Sequence, residues 1–332
     1  MIEENQDESL VTRFQQYLLC ILAAIALSTS AFSAEPSQTT ECSLKQLASI
    51  DVKVDNKVLI PVSFGDRRTF MALRTTSLST ISKEAADDMK LPIGPVPAEF
   101  SKDPNTVGVA TVQSLTLGSL QVGKVEFLVS RLTMTSSPTM PEFIGWLGID
   151  ALGGVDLELD LAHYKLKLFS SDHCPGRAVY WTNTGTSVPY TLDPIGVPVF
   201  AIELDGKSIQ ATIRTTGART QLRTDISKRL FGFDESSPGI QLDTPESGKP
   251  QSHYRAMKMT AQGLSVTNAD VELTPGNKNC HISLNTGPQH AAGYENCYGS
   301  PPLALGIDVL RHLRIYIATK EHMLYITAAD SG

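Results

Sequence analysis

Apolar residues along this chain fall mostly at every second position. Val155, Leu157 and Leu159 are each separated by one polar residue, and Leu313, Ile315 and Ile317 repeat the pattern. That period belongs to a strand with one buried face. Further strand pairs are predicted where polar turns interrupt such runs, at Gly65 and Asp66 and again at Asp205 and Gly206. Helical spacing is confined to two short stretches, Ser82 to Met89 and Thr224 to Leu230. The pattern therefore predicts an all-β chain with short helices.

The predicted elements occur twice. The run from Leu147 to Leu168 aligns without a gap on the run from Leu305 to Ile326. Each opens on Leu-Gly-Ile-Asp, passes through a short helical turn and closes with two strands joined by a tight turn. Upstream, Ile60 to Thr76 matches Phe200 to Thr216, each a strand, a polar turn and a second strand ending in Arg-Thr-Thr. Such self-similarity marks one structural unit used twice. The order places a first lobe at 43–172 and a second at 191–330. A linker is expected at 173–190, where His173 to Gly176 and Thr182 to Thr186 break the strand pattern. The stretch from Phe233 to Gln251, rich in Ser, Pro, Gly and Asp, is predicted to be a surface loop without a fixed role in the core.

The beginning of the chain follows another logic. Within residues 1–34, Arg13 precedes an apolar run from Tyr17 to Leu27, and small residues follow from Ser28 to Ala34. That order predicts a secretory signal, with Ala31-Phe32-Ser33 fitting cleavage after Ser33. The run is short for a membrane span, which needs roughly 20 residues. The acidic start, Glu3, Glu4, Asp7 and Glu8, departs from the positive charge a signal prefers, so an uncleaved anchor or a misplaced start codon stays open. Export to the periplasm or the cell exterior is the expectation, with membrane attachment only if the leader is retained. Cys20 would leave with the leader, and Cys42, Cys174, Cys280 and Cys297 remain. An even set in an exported chain predicts two disulfides. Three pairings are possible; Cys42 with Cys174, tying the ends of the first lobe, and Cys280 with Cys297, closing a local loop, is preferred.

Composition narrows the function classes. A chain of 332 residues with 41% apolar and 19% charged residues is globular and long enough for two cores. A formal charge of −7 without a basic cluster excludes nucleic acid as a partner, and a monomer is expected. There is no Gly-x-Ser-x-Gly, and His163, His312 and His322 fall in or beside the repeated hairpins, which makes them turn or surface residues. No ligand spacing for a metal and no glycine-rich phosphate loop is present, so neither a metal nor a cofactor is expected. Asp150 and Asp308 recur after Leu-Gly-Ile and are expected to cap the next helical turn.

The doubled order of hairpin, polar loop, helix and Leu-Gly, with Trp146-Leu147-Gly148 and Ala304-Leu305-Gly306 as its late segments, resembles the pepsin and retropepsin superfamily of aspartic proteases in its bacterial, two-lobes-in-one-chain form. The resemblance runs from residue 55 to residue 328. It implies two β-barrel lobes related by pseudo-two-fold symmetry, with Gly148 and Gly306 packed beneath the loops that carry the catalytic aspartates. Here the chain departs from the family. Counting forward from the hairpin glycine Gly206 puts Arg214 at the aspartate position, and the repeat puts Arg74 at its twin. A rival register aligns Thr216, Gly217 and Ala218 with the family's Thr-Gly-Ala and puts Thr75 and Thr215 there. In the first register Thr76 and Thr216 take the glycine positions. Neither register supplies an acid, and an aspartic protease needs two carboxylates sharing a proton. Arginine stays protonated at any working pH. The expectation is a silent protease fold with no catalytic residue, in which Arg74 and Arg214 either remain from a decayed site, facing solvent or paired with a nearby acid, or line a cleft that takes a peptide or a small anion. An active endopeptidase with acids elsewhere is the alternative.

Overall fold

Alternating runs become strands that pair in a twice-repeated order. The computed structural model describes residues 43–75, 78–193, 196–244, 250–275 and 301–329, all within the unit Ser43–Gly332. The leader, Thr76, Cys42, Cys280 and Cys297 lie outside the described residues. Cys174 is described and is disulfide-bonded. The main strands of the first half are β1 (Gln46–Asp51), β2 (Val58–Phe64), β3 (Arg67–Arg74), β4 (Thr80–Ser82), β5 (Thr106–Val112), β6 (Val125–Ser130), β7 (Gly145–Gly148), β8 (Asp156–Asp160) and β9 (Lys165–Phe169). Those of the second half are β10 (Thr186–Leu192), β11 (Pro198–Leu204), β12 (Lys207–Ile213), β13 (Thr220–Arg223), β14 (Gln251–Ala261), β15 (Leu264–Thr274), β16 (Leu303–Leu305), β17 (Leu313–Ala318) and β18 (Met323–Ala328). Three short α-helices, α1 (Lys83–Asp88), α2 (Thr224–Phe231) and α3 (Ile307–Leu310), complete an all-β fold. None of the described helices is long and apolar enough to cross a membrane.

Each half threads its strands in the same way. In the first, β7 lies parallel to β3, with Trp146 opposite Ala72 and Gly148 opposite Arg74, and antiparallel to β4. In the second, β16 lies parallel to β12, with Ala304 opposite Thr212 and Leu305 opposite Ile213, and antiparallel to β13. The β6–β4 and β15–β13 pairs are parallel in both. Helix α1 starts where the Ser82 hydroxyl accepts the Ala85 N–H, and α2 ends at Gly232 in a left-handed turn.

Between the halves runs a shared sheet in the order β1-β9-β8-β17-β18-β10. Its centre is the antiparallel pair β8 and β17, with Leu157 opposite Ile317 and Leu159 opposite Ile315. These leucines and isoleucines lie in a continuous core that also takes in Leu73, Leu147, Ile213 and Leu305. Two expectations need correction. The linker expected at 173–190 ends earlier, because β10 begins at Thr186 and pairs with β18 from Thr186 to Pro189. The stretch from Phe233 to Gln251 is not wholly peripheral. Its Phe233 ring packs 4.5 Å from that of Tyr254, Ile240 lies against the core, and Gln241–Asp243 forms a strand beside β14.

Candidate functional site

Arg74 closes β3 and Arg214 follows β12, and the threonine next to each, Thr75 or Thr215, reaches into the other half. The Thr75 hydroxyl donates to the Ile213 carbonyl at 2.5 Å, and the Thr215 hydroxyl donates to the Leu73 carbonyl at 2.6 Å. Both side chains are buried, at 4% and 1% exposure. Each half thus reaches into the other's strand end. Reciprocity of this kind fixes the register of the two loops, because both hydroxyls are committed to backbone beneath the surface. The half-exposed side chains at matching strand ends are therefore Arg74 and Arg214.

Beneath each loop sits a matching brace. The Gly148 N–H donates to the Ser79 hydroxyl at 3.0 Å, which donates in turn to Asp150 Oδ1 at 3.0 Å. In the second half the Gly306 N–H donates to the Thr220 hydroxyl at 2.9 Å, and that hydroxyl donates to Asp308 Oδ1 at 2.8 Å. The Thr220 N–H reaches Asp308 Oδ2 at 3.0 Å. Capping was the role expected of Asp150 and Asp308, and the geometry adds a second one: Asp308 Oδ1 accepts the Val309 N–H in the first turn of α3 at 2.8 Å, and both carboxylates also bind the loop. The residues at the helix starts are Gly148 and Gly306, without a side-chain cap, and the carboxylates turn back to hold the loop. Gly306 is required by close approach: a Cβ there would lie 2.3 Å from the Arg219 carbonyl carbon. Burial pushes the Asp150 pKa up, and the Ser79 hydroxyl and N–H offset that in part.

The arginines have different surroundings. Arg74 lies over the Trp146 ring at 4.9 Å, and Trp146 meets Phe143 edge-on with centroids 6.3 Å apart. Met134, Met140 and Phe70 pack on the same patch, giving the first half an apolar wall. The residue matching Trp146 in the second half is Ala304. Arg214 folds against Gly217, where an added Cβ would lie 2.7 Å from its Nε. Burial lowers the Arg214 pKa, the Glu272 carboxylate opposes that, and the Arg74 charge adds to the lowering. Glu272 is itself held by Gln221, whose Nε2 donates to Oε2 at 2.9 Å. Sequence reasoning missed Glu272, because β15 brings its charge to bear on Arg214 only through the parallel pairing with β13, Gln221 opposite Glu272.

A second polar assembly lies on the shared sheet. Asp156, Glu158 and Asp160 occupy one face of β8, and all three are buried. Arg314 donates to Glu158 Oε1 from Nε at 3.0 Å and from Nη2 at 2.8 Å, and Lys167 lies 3.1 Å from the same oxygen. Trp181 covers the Arg314 guanidinium at 4.2 Å. Among the described residues no group of three or more His, Cys, Asp and Glu is arranged to hold a metal ion.

Comparison with known proteins assigns this chain neither a family nor an activity. No protein-family profile matches the chain, and no curated protein matches it in sequence. Among solved structures, conglutin gamma, a basic 7S globulin from lupine seeds, overlaps 86% of this chain and 95% of its own at 13% identity and a TM-score of 0.45. A likeness at that level carries no inference about function.

Proposed function

We propose that this chain is an exported, aspartic-protease-like protein that hydrolyses no peptide bond and uses the cleft between its halves to bind an anionic ligand, a peptide carboxylate or another small acid. The observation that carries the reading is the pair Arg74 and Arg214 at matching strand ends, above threonines locked by reciprocal hydrogen bonds. Two like charges close enough to influence each other favour an anion between them. Arginine binds carboxylates and phosphates through two parallel N–H donors. Glu272 offsets part of the charge of Arg214. The rival reading, an endopeptidase with other acids, rests on Asp150 and Asp308, which stand at matching positions. Each is tied to its own half by Ser79 or Thr220, which argues against a shared proton.

The test combines two measurements. Carboxylate, sulfate or phosphate should raise the melting temperature of the wild type, and Arg74→Ala with Arg214→Ala should abolish the gain. A peptide-library digest from acid to neutral pH should yield no products. Pepstatin-sensitive cleavage would establish the endopeptidase instead, and identical anion responses of wild type and double variant would remove the binding claim.

A further inference from the structure

The connector from Ser171 to Gly185 joins the two halves and lies against the shared sheet. Ala178 is fully buried there, at 0% exposure, while its neighbour Arg177 is exposed. One histidine fastens the start of this segment. The His173 side chain is 3% exposed, and its Nε2 lies 2.6 Å from Asp156 Oδ2. Its Nδ1 lies 3.1 Å from the Cys174 carbonyl and 3.4 Å from Glu321 Oε1. The imidazole thus stands between a carboxylate of β8 and one of the β17–β18 turn, which belong to different halves.

We propose that His173 is a proton-operated latch that docks the connector onto the sheet shared by the two halves. With both ring nitrogens protonated, Nε2 donates to Asp156 and Nδ1 donates toward the Cys174 carbonyl and Glu321, and the positive ring separates two buried negative charges. Loss of one proton leaves one of these acceptors without its donor and brings the carboxylates into direct repulsion. The other groups facing the ring do not compensate. From β17, Tyr316 donates to Asp156 Oδ2 at 3.1 Å, and Thr319 donates to Oδ1 from its N–H and its hydroxyl. From β18, the Tyr325 hydroxyl is bonded to Glu321, whose Oε2 also takes the Gly176 N–H at 3.2 Å. From β10, Tyr190 contributes a hydroxyl whose pKa burial and Asp156 push up to about 12. Lys320 is paired with Asp172 at the rim, and Glu158, further along β8, is held by Arg314 and Lys167. His173 alone in this set has an ordinary pKa near neutrality. Burial by itself would lower that pKa, but the Cys174 carbonyl, Asp156 and Glu321 outweigh it and raise it.

The direction of the pH effect follows. A group whose pKa is raised by folding contributes fully below its unfolded value, about 6.5, and the contribution disappears as pH rises through the folded value. The latch is closed in mild acid and released toward alkaline pH. In that window the opening equilibrium grows about tenfold per pH unit, since one more proton is bound in the docked state.

Trypsin reads the latch at the Arg177–Ala178 bond. The rate of cutting there, divided at each pH by the rate on the urea-unfolded chain, should climb in the wild type as pH rises above about 6.5. In His173→Gln, which keeps a hydrogen-bonding side chain without the charge, the normalised rate should start high and stay level. A wild-type rate that is flat or falls with pH, or a variant that follows the wild type, overturns the proposal. Should the variant not fold, histidine proton resonances of the wild type decide. One buried histidine must titrate above about 6.5, and its absence would overturn the latch equally.

Discussion

A hydroxyl that donates to a carbonyl of the opposite half does more than a surface bond, because water cannot replace it. Thr75 and Thr215 are both in this position. Thr215→Val keeps the side-chain shape and removes the donor, leaving the Leu73 carbonyl without that bond. The expected cost is ~1–3 kcal/mol, and Thr75→Val should cost a similar amount through Ile213. The two effects should not add, since either loss loosens the seam the other depends on. Urea unfolding measures all three variants, and a single variant with the wild-type midpoint would contradict the role assigned to its threonine. Neighbouring Arg74 and Arg214 differ in kind from this pair: they are half-exposed, and substituting them should alter anion response far more than folding.

At the scale of elements, the brace under the second loop depends on backbone contact that only glycine permits. Gly306→Ala would press a methyl group into the Arg219–Thr220 peptide, where the nearest atoms are backbone and cannot rotate away. A loss of about 3 kcal/mol is expected, seen as a lower melting temperature, and an unchanged one would show that β13 and α3 can separate. This brace also shows what the sequence disclosed and what it hid. The strands, the two helices after the Arg-Thr-Thr segments and the doubled order were legible because period and repetition are local properties of the chain. Gly148 and Gly306 were legible as structural positions through the family resemblance. The use of Asp150 and Asp308 was not, since a helix cap and a tie to a distant hydroxyl look identical in a one-dimensional pattern. The acidic face of β8 was hidden more deeply. Asp156, Glu158 and Asp160 alternate with leucines as solvent-facing residues would, yet Arg314, Lys167 and the connector cover them. Burial there is set by segments far along the chain, and the matching cations on β9 and β17 were the available signal.

On the scale of the whole molecule, the sheet at the seam takes β1, β9 and β8 from one half and β17, β18 and β10 from the other, and continues through β10 into β11 and the rest of the second half. The halves meet along β8 and β17 and through the two threonines. That construction makes the covalent link between them a matter of concentration more than of architecture. A tether of this length holds its ends at a local concentration on the order of millimolar. Cutting the exposed turn at Asn183 to Gly185 removes that advantage but none of the contacts just named. A chain nicked there should keep its sedimentation coefficient and circular dichroism at micromolar concentration and come apart only on dilution or in denaturant. Immediate separation would mean that the seam is weaker than its two halves. With those contacts kept, the molecule is a dimer in all but name, two copies of one repeated unit whose assembly has been made independent of how much protein is present.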